Sequence, residues 1–421
     1  MLLRFSVTNH RSLRDRQEIS LVASSLDDDP ASLIDCRQVP DRKLLPALVV
    51  YGANASGKSN LVDAMRWMRN AVLHSHREGT PGGGVPRNPF LLDPAAAAAS
   101  SRADIDFVVD DVRYHYGFEA TEAAFTAEWL FAFPHDRRQV LFERDGSTFQ
   151  FGRHLKGRNH IISDLTRPNS LFLSAAAQNG HDDMTKLSQY FQDITVDERQ
   201  LHELEAGLAD EPLDPRVIEF LKAAGTGIIG SRIRRVNLPD NVSELQHVIG
   251  GVFSKFLNQP FQAPWTGKQA TFLQLAHKGA GERLTYFELA RESDGTRRLL
   301  AILVPLFQTL DKGSVMVLDE LDASLHTQAC EMIFALFSSP TTNNKGAQLI
   351  ATTHDTNLLR SPHLRRDQVW LAEKDAEGAS HLYPLTQFRT RKSDNLARGY
   401  LQGRYGAIPF ARPVSDAPVT L

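Results

Sequence analysis

The sequence predicts an α/β fold built around a strand–loop–helix unit, with an antiparallel β-lobe and a short helical insertion. Three observations predict it. The apolar run 44–50 leads into a glycine-rich loop and then into a helical pattern. Residues 105–152 contain short alternating segments that are typical of antiparallel strands. From 285 to 385 the chain returns to alternating helix and strand patterns.

The composition is that of an ordinary globular chain. Of 421 residues, 42% are hydrophobic and 23% are charged, which excludes wholesale disorder. The net charge of −3 excludes a general polyanion binder, so contact with nucleic acid would need a local basic patch. The two cysteines, Cys36 and Cys330, exclude a disulfide framework, and no apolar run reaches the roughly 20 residues of a membrane span. We therefore expect a cytoplasmic protein that does not cross a membrane.

The elements follow in order. Residues 1–24 predict two strands around a turn at 8–12, and 44–50 predict a strand buried on both faces. The next helix is predicted by apolar residues spaced four, three and four apart, at Leu61, Met65, Met68 and Val72. Asp145-Gly146 predicts a hairpin turn, and 183–225 are helical in pattern.

The spacing of these segments predicts the domain organisation. The long interval between Gly52 and Asp319 exceeds what a compact core needs and must hold extra structure. We predict an N-terminal lobe over 1–182, a helical insertion over 183–265, a C-terminal lobe over 266–385 and a basic tail over 386–421.

The strongest chemical signal is the segment 52–59, Gly-Ala-Asn-Ala-Ser-Gly-Lys-Ser, which fits the P-loop pattern GxxxxGKS/T after a buried strand and before a helix. Its glycines let the backbone wrap phosphates, and the helix N-terminus favours an anion. Lys58 would reach the outer phosphates and Ser59 would hold Mg²⁺. The predicted nucleotide-binding residues of this segment are Gly52, Asn54, Ala55, Ser56, Gly57, Lys58, Ser59 and Asn60.

Two later strands end in polar residues. The apolar run 315–318 ends in Asp319 and Glu320, the Walker B arrangement, with Asp319 for the metal and Glu320 as general base. Alone, two acids are typical of a solvated strand end; the P-loop favours the functional interpretation. The run 349–353 is followed directly by His354. The carboxyl ends of parallel strands converge on the ligand, so a γ-phosphate sensor would lie at this position.

A fourth segment, Ser293-Asp294-Gly295-Thr296, opens an apolar helix. A serine and a glycine at a helix start suit phosphate binding. The simpler alternative is an N-cap formed by Ser293 or Asp294.

The order of these motifs resembles the head of ABC-class ATPases. The segment 293–296 lies at the position of the signature motif of that class. This segment and the opening residues 5–13 are similar to those of the SMC, RecF and OLD-like AAA ATPases rather than to those of transporters. The resemblance implies an ABC-type P-loop NTPase head that hydrolyses ATP with Mg²⁺. It also implies a homodimer, or a higher oligomer, in which Ser293, Gly295 and Thr296 act in trans on the ATP of a second subunit.

The same resemblance implies four further roles. Asp322 matches the D-loop position and His354 the switch histidine. Gln178, after the apolar run 171–177, resembles the Q-loop glutamine that binds the metal. Arg11 lies in the loop that approaches the nucleotide in this group.

The signature, residues 373–375 and the tail 400–409 resemble stand-alone phage-defence ATPases: RloA, AbiLi-like proteins and the ATPase of PARIS systems. This implies a sensor that controls a separate protein effector, a nuclease or a toxin. The alternative is a RecF- or SMC-like DNA-repair ATPase that binds duplex DNA in an ATP-dependent way.

The function of the basic segments and of the acidic residues near 373–375 is less clearly indicated by the sequence. The basic run 232–235 and the basic, aromatic tail are compatible with contact to nucleic acid, although a charge run is more often a solvated face or a helix C-terminus. Glu373 and Asp375 lack the further acids that two-metal nuclease chemistry needs, so we interpret them as a solvated strand end.

Overall fold

The computed structural model describes residues 1–26, 28, 33–39, 43–196, 212–237 and 269–408. The chain divides into two compact units. The first comprises Met1–Asp197, Thr309–Ala323 and Cys330–Leu421, and the second comprises Glu198–Gln308 and Ser324–Ala329.

The elements are numbered in chain order over the described residues. The strands are β1 Leu2–Thr8, β2 Gln17–Ser20, β3 Ile34–Asp35, β4 Lys43–Leu44, β5 Ala47–Gly52, β6 Ser101–Val109, β7 Val112–Ala120, β8 Phe125–Phe133, β9 Gln139–Asp145, β10 Thr148–Phe151, β11 Thr195–Val196, β12 Ile228–Asn237, β13 Gln269–Lys278, β14 Leu284–Glu288, β15 Val315–Leu318, β16 Gln348–Thr352, β17 Val369–Lys374 and β18 Ser380–Pro384. The helices are α1 Lys58–His74, α2 Pro94–Ala98, α3 Asn159–Leu165, α4 Phe172–Gln178, α5 Asp182–Asp193, α6 Pro215–Ala223, α7 Asp294–Lys312, α8 Thr327–Ser338 and α9 Leu396–Leu401.

A six-stranded sheet in the first unit has the order β11-β15-β16-β5-β17-β18. Its strands pair in parallel except for β18, which is antiparallel to β17. Strands β5, β15 and β16 are buried along their whole length, as near-continuous apolar runs in a parallel sheet should be. The predicted strand at 44–50 is interrupted at Pro46, which has no backbone N–H to donate.

A seven-stranded antiparallel sheet has the order β10-β9-β8-β7-β6-β1-β2. The predicted hairpin at Asp145-Gly146 is confirmed, since β9 and β10 pair directly around it. The first two strands join the lobe through β1, which pairs with β6. The α/β class with an antiparallel β-lobe is therefore confirmed.

Helix α1 carries the predicted apolar stripe into the core of the first unit. Leu61, Met65, Met68 and Val72 are all buried in the main hydrophobic cluster, together with side chains of both sheets. This packing fixes the N-terminal end of the helix directly after the loop 52–57.

The predicted insertion, 183–265, is described only in part. It holds most of α5, then β11, α6 and the ten-residue strand β12, so its described residues are not all helical. Strand β12 forms a three-stranded antiparallel sheet with β13 and β14 in the second unit. The rest of the insertion lies outside the described residues, and its boundaries stay a prediction.

The tail, described as far as residue 408, packs on its own unit. Glu373 accepts hydrogen bonds from the Tyr383 hydroxyl at 2.8 Å and from the Ala407 N–H at 3.3 Å. Asp375 is bonded to His381 at 3.0 Å. Glu373 is therefore more than a solvated strand end, because it ties the tail to β17, whereas Asp375 follows the strand end at the surface. Within the described residues, every helix is too short or too polar to cross a membrane.

Candidate functional site

The predicted site residues follow strands that lie side by side. Strand β5 pairs in parallel with β16, and β16 pairs in parallel with β15. Gly52, Asp319 and Thr353 therefore lie at one edge of the sheet, where the carboxyl ends of parallel strands form a ligand crevice.

The loop 52–57 needs its two glycines for different reasons. Gly57 has φ +105°, and a Cβ there would lie 2.2 Å from Ser380 Oγ. Gly52 has an ordinary φ, but a Cβ would lie 2.4 Å from the Ala372 carbonyl oxygen. The loop thus lies tightly against β17 and β18, which leaves no room for a side chain at either position.

Lys58 folds back over this loop. Its Nζ donates hydrogen bonds to the carbonyl oxygens of Gly52 at 2.9 Å and Ala53 at 3.0 Å. Burial lowers the pKa of Lys58 to about 8, against the attraction of nearby carboxylates that include Asp319. The lysine cation is therefore held at the loop, where an anionic partner would stabilise its charge.

The loop offers further polar groups to an anion. Ser56 Oγ is buried and has no hydrogen-bond partner among the described atoms. The first N–H groups of a helix lack intrahelical acceptors, and α1 begins at Lys58 directly after the loop. These groups fit the phosphates of a nucleotide.

Asp319 links the loop to the neighbouring strand. Its Oδ1 accepts a hydrogen bond from Ser59 Oγ at 3.1 Å and another from Thr352 Oγ1 at 2.6 Å. A hydroxyl and a carboxylate are oxygen donors of the kind that Mg²⁺ prefers. In the described part of the chain, His, Cys, Asp and Glu side chains form no cluster of three or more that could hold a metal ion.

Thr352 is a site residue that sequence reasoning missed. Its Oγ1 also accepts a hydrogen bond from the backbone N–H of Glu320 at 2.8 Å. Glu320 has φ +50°, an uncommon conformation for a residue other than glycine. Thr352 directly precedes Thr353-His354, but a hydroxyl at the last position of a strand has no distinctive spacing that would single it out in the sequence.

Asp322 and His354 are brought together by the strand end. Asp322 Oδ1 accepts hydrogen bonds from Thr353 Oγ1 at 2.8 Å and from the backbone N–H of His354 at 3.2 Å. Desolvation lowers the pKa of His354, and the positive charge of Lys58 lowers it further. The imidazole therefore lies in the electrostatic field of the loop lysine, and the carboxylates of Asp322, Glu320 and Asp319 act in the opposite direction.

Arg11 lies beside α1. Its guanidinium is bonded to Asp63, which is also bonded to the buried His10 at 2.9 Å and to Arg66 at 3.4 Å. Burial favours the neutral acid, but these hydrogen bonds hold the pKa of Asp63 below its usual value. Asn60 donates to Ser12 Oγ at 2.5 Å, so the predicted Asn60 also fixes the loop that carries Arg11.

Gln178 is the exposed last residue of α4. The apolar run before it is a helix, in keeping with the helix propensity of Ala175, Ala176 and Ala177. The role of Gln178 as a metal ligand stays a prediction.

The segment 293–296 shows the helix cap expected as the simpler alternative. Ser293 Oγ accepts a hydrogen bond from the Thr296 N–H at 3.2 Å. At Gly295 a Cβ would lie 2.8 Å from the carbonyl oxygen of Ser324, so only glycine fits closely there. A role in trans for Ser293, Gly295 and Thr296 stays a prediction.

A family model described as "AAA domain, putative AbiEii toxin, Type IV TA system" matches residues 47–360, from the start of β5 to beyond His354. The chain belongs to this AAA domain family. The match takes in the P-loop, the segment 293–296, the Walker B acids and His354, but not the loop of Arg11 or the segments 373–375 and 400–409. No curated protein sequence matches the chain significantly.

Solved structures of SMC heads are similar to this AAA chain. The "SMC head domain from Thermotoga maritima" aligns with a TM-score of 0.40 at 16% identity, over 91% of this chain and 98% of that one. An SmcHead bound to the C-winged helix domain of ScpA gives 0.41 at 13% identity, over 91% and 96%. An Smc head with an extended coiled coil, bound to the C-terminal domain of ScpA from Pyrococcus furiosus, gives 0.39 at 14% identity, over 92% and 97%.

Proposed function

We propose that this AAA protein binds ATP with Mg²⁺ and hydrolyses it. The observation that carries the proposal is the hydrogen-bonded chain Ser59–Asp319–Thr352, which joins the P-loop to the ends of two neighbouring strands. These are the positions from which a P-loop NTPase holds a metal and orients a nucleophile.

Each residue has a distinct task in this proposal. On nucleotide binding, Lys58 exchanges the carbonyl oxygens of Gly52 and Ala53 for the outer phosphate oxygens. Ser59 and Asp319 would hold Mg²⁺ through their oxygen atoms, and the ion would supply positive charge next to the phosphates. Glu320 accepts a proton from the attacking water as general base.

The residues near the strand ends complete the proposed site. His354 senses the terminal phosphate, and Asp322 fixes the backbone N–H of His354. Ser293, Gly295 and Thr296 act on the nucleotide of a second copy, which makes ATP the link between two chains. ATP-dependent closing and opening of such a pair is a two-state switch.

The binding step is tested by Lys58→Ala in an equilibrium titration with ATP and Mg²⁺. We expect about 10- to 100-fold weaker binding, because a charge-assisted hydrogen bond to phosphate is lost. Lys156→Ala removes an exposed lysine far from the P-loop in sequence and is the matched control. Equal affinity in Lys58→Ala and the wild type would contradict the proposed phosphate site.

We further propose that the ATPase is the sensor of an anti-phage defence system and controls a separate effector, a nuclease or a toxin. The family description, which names a toxin of a type IV toxin–antitoxin system, supports a role of this kind. The test is a pull-down of Glu320→Gln with ATP and Mg²⁺ from the native host. A stoichiometric small protein supports the proposal, whereas duplex DNA without a protein partner contradicts it and favours the DNA-repair alternative.

A further inference from the structure

One face of the three-stranded sheet β12-β13-β14 combines arginines with aromatic rings. The strand register places Arg234 opposite Phe272, Arg232 opposite Gln274, and Ala276 opposite Tyr286. Paired residues point to the same side of a sheet and alternate residues share a face. Arg232, Arg234, Phe272 and Tyr286 therefore lie on one face, called here the Arg–aromatic face.

The opposite face of the sheet is the apolar one. Leu273 and Leu275 are buried there, next to the partly buried Ile233 and Phe287. The Arg–aromatic face is the more open side, with Arg232 and Arg234 exposed and 39% of Phe272 exposed. An accessible aromatic ring beside arginines is the combination on which unpaired bases stack in proteins that bind single strands.

The arginine at the centre of this face is already ordered. The Arg232 guanidinium carbon lies 3.6 Å from the centroid of the Tyr286 ring, and its Nε donates to Gln274 Oε1 at 2.8 Å. This holds a planar cation flat on an aromatic ring, so a second planar group can stack on it with little loss of side-chain entropy.

The charge of the face is cationic although the chain carries −3. Arg232, Arg234 and Lys278 lie on it, and the facing carboxylates are Glu288, 3.7 Å from Arg234, and Glu282, 2.8 Å from Lys278. Flexible cations can exchange such exposed partners for phosphates, since surface ion pairs are weak. An acidic protein segment would satisfy the cations but would leave the exposed rings unused.

We propose that the Arg–aromatic face binds single-stranded nucleic acid. Bases stack on Phe272 and on the Arg232–Tyr286 pair, while Arg234 and Lys278 contact the backbone phosphates. A sheet that presents rings and cations is suited to unpaired bases, whereas the bases of a duplex are closed to stacking. The inference does not rest on ATP hydrolysis and stands or falls separately from it.

The test is fluorescence anisotropy of the full chain with labelled oligonucleotides of about 16 residues, as single-stranded RNA, single-stranded DNA and duplex DNA. We expect single-stranded RNA, single-stranded DNA or both to bind more tightly than the duplex. Comparison of the two single strands shows whether the face prefers RNA or DNA. Arg234→Ala should weaken binding and reduce the slope of log affinity against log salt by about 0.7.

Phe272→Ala separates stacking from charge. It should weaken single-strand binding by about 5- to 100-fold with an unchanged salt slope, because stacking energy and not a phosphate contact is lost. Arg232→Lys keeps the charge without the planar group and should also weaken binding. Lys222→Ala on α6 and Ile161→Ala on α3 are controls for a lost cation and a lost apolar side chain.

Three results would overturn the proposal. The first is the absence of binding to any single strand at low salt by a folded wild-type chain. The second is duplex binding as tight as single-strand binding with no effect of Phe272→Ala. The third is single-strand binding that Arg234→Ala, Phe272→Ala and Arg232→Lys all leave unchanged while circular dichroism shows the same fold.

Discussion

Asp319 is oriented from two sides by hydroxyl groups. Ser59 reaches it from α1 and Thr352 from β16, both through Oδ1. In the proposed Mg²⁺ site these hydroxyls would hold the carboxylate in place, and removal of such a partner typically lowers metal affinity by about 10- to 100-fold. Thr352 is therefore expected to act through Asp319, as a positioning residue.

Thr352→Val removes this hydroxyl with little change of shape. We expect about 10- to 100-fold weaker apparent Mg²⁺ affinity in ATP turnover, because the Asp319 carboxylate loses a fixed partner. Thr353→Val, which loses the bond to Asp322 instead, is the matched control. A magnesium titration in which both variants behave alike would contradict the role of Thr352.

The pKa of Lys58 predicts a pH dependence of nucleotide binding. Burial lowers that pKa to about 8, so the free protein loses the lysine charge as pH rises through 8. Bound phosphate favours the charged form, and ATP affinity should therefore fall by up to about tenfold per pH unit above pH 8. Isothermal titration between pH 7 and 9.5 measures this effect.

Lys58→Arg provides the control for this pH dependence. Arginine keeps its charge throughout that range, so the fall in affinity above pH 8 should disappear, whatever the affinity at pH 7. The same fall in both proteins would show that another group titrates.

Sequence reasoning found the P-loop and strand-end residues because each belongs to a local motif next to a buried strand. Ser59 and Asp319 are far apart in the chain, yet the structure places them in contact. Thr352 and Ser380 could not be chosen in the same way, because a hydroxyl at the start or end of a strand has no distinctive spacing. Their importance comes from pairing between remote segments.

Helix α4 is fixed to the β-lobe by a buried carboxylate. Glu128 on β8 accepts hydrogen bonds from the backbone N–H groups of Phe172 and Leu173 at 2.6 and 3.0 Å, and from the Tyr116 hydroxyl at 2.9 Å. Burial raises the pKa of Glu128, and the neighbouring Arg144 and these donors act against that rise. The β-lobe thereby positions the helix that ends in Gln178.

Glu128→Ala should destabilise the fold by about 3–5 kcal/mol, because it leaves Arg144 buried without its partner. The double variant Glu128→Leu with Arg144→Met should cost less than this single change, since no buried charge remains. Urea unfolding followed by circular dichroism measures both. A double variant that is the less stable of the two would contradict this account.

The tail is the element that the sequence described least well. Its basic and aromatic residues left contact with nucleic acid and a solvated face both open. The Tyr400 hydroxyl instead donates to the Ala407 carbonyl at 2.9 Å, and the Tyr400 ring lies 5.9 Å from that of Tyr51. Tyr51 directly precedes the P-loop. Part of the aromatic content of the tail thus packs against the strand that carries the loop.

For the whole molecule, the order of motifs was enough to predict the parallel sheet. Right-handed crossovers leave few ways to join successive parallel strands, so a P-loop strand and two strands ending in polar residues imply one sheet. The pairing of β1 with β6 could not be predicted from the sequence, because no local pattern specifies which distant strand will pair with a given strand. The long interval between Gly52 and Asp319 predicted extra structure between the two motifs, but it did not predict the strand β12.

ATP hydrolysis at the site formed by the P-loop, Asp319 and Glu320 is the central proposal for this protein. The most direct test is Glu320→Gln incubated with ATP and Mg²⁺, followed by phosphate release, retained nucleotide and molar mass by light scattering. We expect phosphate release to fall to the level of Lys58→Ala, intact ATP to stay bound, and the mass to be that of a dimer or larger. Turnover at the wild-type rate in Glu320→Gln would contradict the assignment of the general base and, with it, the proposed mechanism.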